Sequence, residues 1–380
     1  MRPLFFLPVS LLFACVPATR GWVVDVSGVV AGADGVRLSG AVVEMLGEDG
    51  SIVSTATTNA LGVWSIPVMV EEGQEGTPWP MHFQASLAGY NNGDMFWHLS
   101  WLDDAWLPIP LTFGPGQNVS IGEQTTPSIL LFEKGVGGGA GTLINAVTGA
   151  AEYGVEIELR RGAGAPSSAT VVAFDTTRSD GGFAFAGLDS GVYTASVESQ
   201  GDIGASTFPV RLEAWGSDNQ VGLVAPMLSD GELLAGVSWS GDLELDMHLS
   251  GPLANYHGRY QVYSDQYIHP VTGEDKDETV AELMYESQGI ESAMVYELRD
   301  GEYRISSFDE TNELISDSSM MANSDVVVYL WGLENAYYET IGLGEQGTAW
   351  MGIVYDNELG ILHRPQLFSS DVDPSDVDQF

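Results

Sequence analysis

Lysine is almost missing from this sequence: Lys134 and Lys276 are the only two among 380 residues. With 53 acidic residues against 13 basic ones, the formal net charge is −40. A chain so acidic repels nucleic acid and anionic lipid headgroups, both of which attract basic proteins. A nucleic-acid partner is therefore excluded. The acids serve solubility, with a salty or cation-rich setting as the second reading. Cysteine is equally scarce. Cys15 stands alone, so no disulfide can form within the chain. No apolar run is long enough to cross a bilayer as a permanent helix, and no long stretch shows helical periodicity. There is no G-x-S-x-G elbow, no H-E-x-x-H and no P-loop, so the familiar hydrolase and nucleotide chemistries have no motif here.

What the sequence does contain begins with Met1-Arg2 and the apolar run Leu4 to Phe13, which fits a signal h-region. Leu12-Phe13-Ala14-Cys15 resembles a bacterial lipobox, in which lipid is attached to the cysteine and residues 1–14 are removed. On that reading Cys15 is the lipidation site, Val16 is not the aspartate of inner-membrane retention, and the destination is the outer membrane of a cell envelope. An ordinary signal peptide cut near Ala18 is the alternative.

After a linker over 15–21, strands dominate. Trp22-Val23-Val24-Asp25-Val26 and Ala41-Val42-Val43-Glu44-Met45 are β-rich, Asp49-Gly50 marks a turn, and Val63-Trp64-Ser65-Ile66 follows Leu61-Gly62. The plan recurs from 135: Gly141-Thr142-Leu143-Ile144, a Thr148-Gly149 turn, the alternating Gly154 to Leu159, then Asp180-Gly181-Gly182 before Phe183-Ala184-Phe185. The run GTLINAVTG, YGVEIELRRG, TTRSDGGFAFAGLDSGVYTASVE resembles the carboxypeptidase regulatory-like domain, a transthyretin-like β-sandwich with a carbohydrate-binding-like fold. VSGVV, LSGAVVEML, TATTNALGVWSI, HFQASLAGY is similar to a more diverged copy. The resemblance covers about half the chain. It implies spacer or binding modules rather than peptidase activity.

The first copy, 22–133, carries an aromatic-rich excursion with Trp79, Phe83, Tyr90, Phe96, Trp97, Trp101 and Trp106. Trp79, Trp97, Trp101 and Trp106 are candidate carbohydrate-stacking residues. The competing reading places these rings in the core or between modules, where large aromatics mostly sit. The second copy spans 135–227.

A third β-domain is expected over 228–368, with an acidic tail at 369–380. Its central stretch is Trp239 to Pro252, in which Leu243, Leu245, Met247 and Leu249 alternate with Asp242, Glu244, Asp246 and His248. Period two predicts a half-buried strand with the acids and the imidazole on the outer face, ~6.7 Å apart. Arg299-Asp300-Gly301-Glu302 predicts a hairpin between Met294–Leu298 and Tyr303–Ser306. VSWSGDLELDMHLSGP, YQVYSDQ, GIESAMVYELRDGEYRISSFDET and GTAWMGIVYDNELG are similar, in order, to a bacterial surface-domain family of unknown function marked by an Asp-Leu-Asp-x-His strand. Glu244 replaces the first aspartate of that pattern.

Asp242, Glu244, Asp246 and His248 are candidate metal ligands, with His257, His269, Asp265 and Glu286 as further contributors. Calcium would take the carboxylates and zinc would take His248. The structural alternative is that Asp246 and His248 tie down neighbouring backbone and loops. The sequence therefore predicts an all-β chain: tandem transthyretin-like or Ig-like β-sandwiches followed by a C-terminal β-sandwich. It reads as a non-enzymatic envelope lipoprotein that meets the membrane through its lipid and binds a protein or glycan, with no cofactor other than a calcium ion considered at the acidic strand. The alternatives are a carbohydrate-binding protein acting through Trp79–Trp106 and a metal-dependent enzyme or calcium-binding module at Asp246 and His248.

Overall fold

The computed structural model describes residues 21–71, 79–99, 118–125, 128–253, 259–264, 268–270, 279–287, 289–311, 318–333, 336–341, 346–358, 360–363 and 367–369. They fold into three β-sandwiches, and the one helix among them, α1 (Met320–Asn323), is four residues long.

The first sandwich contains β1 (Gly21–Gly32), β2 (Val42–Leu46), β3 (Ile52–Thr57), β4 (Val63–Glu71), β5 (Trp79–Ser86), β6 (Gly93–Leu99), β7 (Asn118–Thr125) and β8 (Ile129–Leu131). One sheet runs β4-β1-β7, with β8 also on β1; the other runs β3-β2-β5-β6. Alternate residues meet between them: Val24, Val26, Trp64, Ile66, Met81 and Phe83 are buried in one core.

The second sandwich contains β9 (Val136–Asn145), β10 (Glu156–Arg161), β11 (Val171–Thr176), β12 (Gly182–Asp189), β13 (Gly191–Val197), β14 (Ser206–Leu212) and β15 (Ser217–Val224). Its sheets run β12-β9-β15 and β11-β10-β13-β14, the same order as in the first. The repetition reaches single side chains. Thr58 accepts the Ala41 amide on its hydroxyl at 2.9 Å, and Thr177 does the same for the Val155 amide at 2.9 Å. Each threonine is followed by a tight turn that Gly62 or Gly181 closes with positive φ. Either glycine would also drive a Cβ to within 3 Å of backbone, which explains the Leu61-Gly62 and Asp180-Gly181 signals.

The third sandwich contains β16 (Leu233–Ser238), β17 (Leu245–Pro252), β18 (Arg259–Val262), β19 (Ile268–Pro270), β20 (Thr279–Ser287), β21 (Ile290–Val295), β22 (Glu302–Asp309), β23 (Val327–Trp331), β24 (Tyr337–Thr340), β25 (Ala349–Asp356), β26 (Ile361–His363) and β27 (Leu367–Ser369). One sheet is β19-β20-β21-β16-β23-β24, the other β18-β17-β22-β25-β26, with β27 on β25. The expected hairpin at Arg299–Glu302 is instead a crossing between sheets, since β21 and β22 belong to different ones. The chain between them bonds to third segments at two points and to the start of β22 at another. Tyr296 N–H donates to Val280 O, Leu298 N–H to Gly231 O, and the Tyr303 hydroxyl accepts the Arg299 amide.

Neighbouring sandwiches are joined by buried contacts. On the edge of β6, Phe96 N–H donates to Ala163 O at 2.8 Å and Ala163 N–H to Asp94 O at 3.0 Å. Gly162 and Gly164 make this approach possible: a Cβ on Gly164 would lie 2.5 Å from Phe96 O, and both have positive φ. Asn91 Nδ2 donates across the same seam to Ser190 O at 3.0 Å. The second and third sandwiches share one apolar core. Phe208, Leu223 and Val224 pack with Leu234, Ile290, Met294, Tyr329 and Trp331. Strand β16 is thus buried on both faces, Leu233, Ala235 and Val237 facing inward and Leu234 facing the second sandwich.

Candidate functional site

The Trp239–Pro252 stretch is a strand only from Leu245 onward, so Asp242 and Glu244 precede it and are exposed. Leu243, Leu245, Met247 and Leu249 lie in the inter-sheet core, as their alternation predicts. The outer face differs from expectation: Asp246 is 2% exposed and His248 is fully buried. The four candidate ligands are therefore split between solvent and interior. No group of three or more metal-ligating side chains occurs among the described residues. Glu286 is exposed, and His269 lies on β19. His257 and Asp265 fall outside the described residues.

Asp246 and His248 fasten the segment that follows β18. The Asp246 carboxylate accepts the Ser264 hydroxyl at 2.7 Å and the Ser264 amide at 3.1 Å. His248 Nδ1 meets Gln261 Nε2 at 2.8 Å, and its ring stacks on Tyr263 with centroids 4.7 Å apart. Phe308 meets the ring edge-on. His248 Nε2 lies 3.5 Å from Asp246 Oδ2, an electrostatic contact longer than a good hydrogen bond. Burial opposes the charge on Asp246, yet His248 and the two Ser264 donors outweigh it and hold its pKa below the ordinary value. Ser306, opposite His248 in the ladder, is also fully buried.

A second buried acid escaped the sequence reading. Glu291 on β21 accepts the Met247 amide at 2.6 Å where β18 has parted from β17. Burial, reinforced by Asp246, Glu286 and Glu310, pushes its pKa up to about 9 against the pull of the Met247 amide, so it is protonated at neutral pH. Its signal was an acid inside the otherwise uncharged Ile290–Val295. A buried pair whose bonds serve its own loop, beside a neutral carboxyl, helps hold the sandwich together.

The aromatic excursion divides similarly. Trp97 is 3% exposed and sits in the first core beside Met81 and Phe83, which corrects its assignment to a sugar platform. The alternation of β6 turns Trp97 inward and leaves Asp94 and Phe96 on the opposite face. Trp79 opens β5. Trp101, Trp106 and Cys15 lie outside the described residues, as does the tail beyond Ser369. On the outer face, the Asp94 carboxylate accepts from His82 at 3.0 Å, Gln84 at 2.8 Å and Arg161 at 3.3 Å. Arg161 also reaches Asp189 at 3.1 Å. Burial works against the Asp94 charge, but these donors prevail and lower its pKa. This network ties the first two sandwiches, and sequence spacing gave no hint of a pair 67 residues apart.

No protein-family model matches the chain, and no curated protein matches it. Among solved structures it is distantly similar to the shaft pilin SpaA from Lactobacillus rhamnosus GG, at 14% identity over 55% of this chain and 99% of that one, with a TM-score of 0.19. The Bacillus anthracis TIE protein shares 12% identity over 86% of this chain and 49% of that one, with a TM-score of 0.21. GBS52, the minor pilin of the Gram-positive pathogen Streptococcus agalactiae, shares 13% over 55% and 97%, with a TM-score of 0.20. Likeness at this level transfers no function. The protein is all-β, with several β-sandwiches.

Proposed function

We propose that the chain is a non-enzymatic cell-envelope lipoprotein whose β-sandwiches hold a binding surface away from the membrane. The observation that carries this reading is the joining of the sandwiches. Backbone pairing and the Asp94–Arg161 bridge fix the first to the second, and a shared core fuses the second to the third. A protein built for rigidity along its length, with its buried histidine and acids spent on its own loops, suits presentation better than turnover. The repeated threonine latch and common strand order support two carboxypeptidase regulatory-like, transthyretin-like modules. The Leu12–Cys15 pattern supports a lipid on Cys15 and an outer-membrane address.

The test is metabolic labelling with a palmitate analogue in a Gram-negative host, with Cys15→Ser as control, followed by membrane fractionation. Label on the wild type alone, in the outer-membrane fraction, supports the proposal. Equal fractionation of the unlabelled variant would remove the anchor from it.

A further inference from the structure

Where all three sandwiches meet there is a crevice of about 310 Å³. Its size and its place between domains are those of small-molecule sites. Two features of its wall bear on what it holds.

The first is backbone conformation. Among the described residues glycine occupies twenty positions of positive φ, and only Asn219 (φ 64) and Asp325 (φ 49) are not glycine. Both line this crevice. Asn219 sits in the bulge where the pairing of β15 with β9 shifts register, and Asp325 follows α1. Glycine is the low-cost residue in both settings. Asparagine and aspartate tolerate this conformation better than other side chains but less well than glycine, which makes both candidates for a use. Asp325 has an evident one, an ion pair with Arg211 of the second sandwich and a bond from Ser240. Asn219 has none among the described residues: it is exposed, and no described group bonds its amide.

The second is charge. In a chain of net charge −40, the charged side chains lining the crevice are two arginines and two aspartates. They are matched as Arg161 with Asp94 and Arg211 with Asp325. An ionic ligand would have to break a pair. Aliphatic side chains, among them Ile129, Val192, Val221 and Ile341, line the wall beside Tyr193, Trp239 and Tyr338 and hydroxyls such as Ser240 and Thr340. An extended peptide adds to an open strand edge, and along β14 that edge is closed. Pro209 has no N–H, and the Gln220 side chain bonds both Arg211 N–H and Arg211 O, at 2.6 and 2.9 Å.

We infer that this junction binds an uncharged saccharide, whose hydroxyls are read by the Asn219 amide and whose C–H faces rest on the aliphatic wall. The inference does not depend on the lipid anchor.

Saturation-transfer NMR on the full chain would test it, with D-glucose, D-galactose, D-mannose, N-acetyl-D-glucosamine, cellobiose and tri-alanine as probes. At least one sugar should show saturable transfer. Asn219→Gly suits the backbone and removes only the amide, so the fold is kept; it should weaken that sugar ~10-fold, as expected for one or two lost hydrogen bonds. Val221→Phe, checked for an unchanged melting curve, should abolish binding by filling the crevice. No saturable transfer from any sugar, transfer unchanged in Asn219→Gly, or binding of tri-alanine alone would overturn the inference.

Discussion

Glu291 on one sheet of the third sandwich accepts the backbone amide of Met247 on the other, at 2.6 Å. Its protonated carboxyl stands in for a strand neighbour at the point where β18 has separated from β17. The folded pKa is about 9 against an ordinary value near 4.5. The folded protein therefore holds a proton that the unfolded chain releases, and stability must fall as pH rises between these values, by up to ~1.4 kcal/mol per pH unit. Thermal melts from pH 5 to pH 9 should show a declining midpoint in the wild type and a flatter profile in Glu291→Gln. Parallel profiles would contradict the assignment.

Asp246 has the opposite linkage. Its pKa is lowered in the fold, so its contribution is complete above the unfolded value and is lost as pH falls through the folded one. Asp246→Ala leaves the Ser264 hydroxyl and amide without their acceptor in a half-buried setting. A loss of about 2–4 kcal/mol is expected in urea unfolding. Ser264→Ala, which removes one donor, should cost about 1 kcal/mol. Equal small losses would mean that the latch is solvated.

Gly164→Ala addresses the first seam. The substitution forces a left-handed alanine, costing about 1–2 kcal/mol, and drives its Cβ against Phe96 O. The pairing of Ala163 with β6 should open while each sandwich keeps its own core. Limited proteolysis should then cut near Glu133–Gly135 much faster than in the wild type, with far-UV circular dichroism unchanged.

Trp331 addresses the second seam. Its ring stacks on Tyr329 with centroids 5.3 Å apart, and its indole N–H donates to Ser206 across the shared core at 3.0 Å. Trp331→Ala should cost about 3–5 kcal/mol. Because both sandwiches contribute to that core, tryptophan fluorescence and circular dichroism should lose the second and third units in one earlier transition.

Much of the architecture was legible in the residues. The alternation of Leu243 to Leu249 named its inward set correctly, because period two is a property of the strand itself. The Asp-Gly and Leu-Gly turns were legible because positive φ selects glycine. The exposure of Asp246 and His248 was not, since alternation separates two faces without saying what covers the second one. Residues Gln261, Tyr263 and Ser264 provide that cover through contacts 13 to 18 positions away in the chain. The Arg299–Glu302 turn misled for a related reason. A local signal reports that the chain turns, and the sheet receiving the next strand is decided by distant partners such as Val280 and Gly231. Nor could spacing foresee Asn219 and Asp325 lining one crevice, for they belong to different sandwiches.

The core common to the second and third sandwiches also bears on inheritance. Modules that fold on separate cores can be shuffled between genes by recombination in their connecting loops. Here a crossover in the short connection after Ala225 would leave Tyr329, Trp331 and Met294 facing a foreign surface. The second and third sandwiches are expected to have passed down their lineage as one heritable block, while the first, held by backbone bonds and a salt bridge, remained exchangeable.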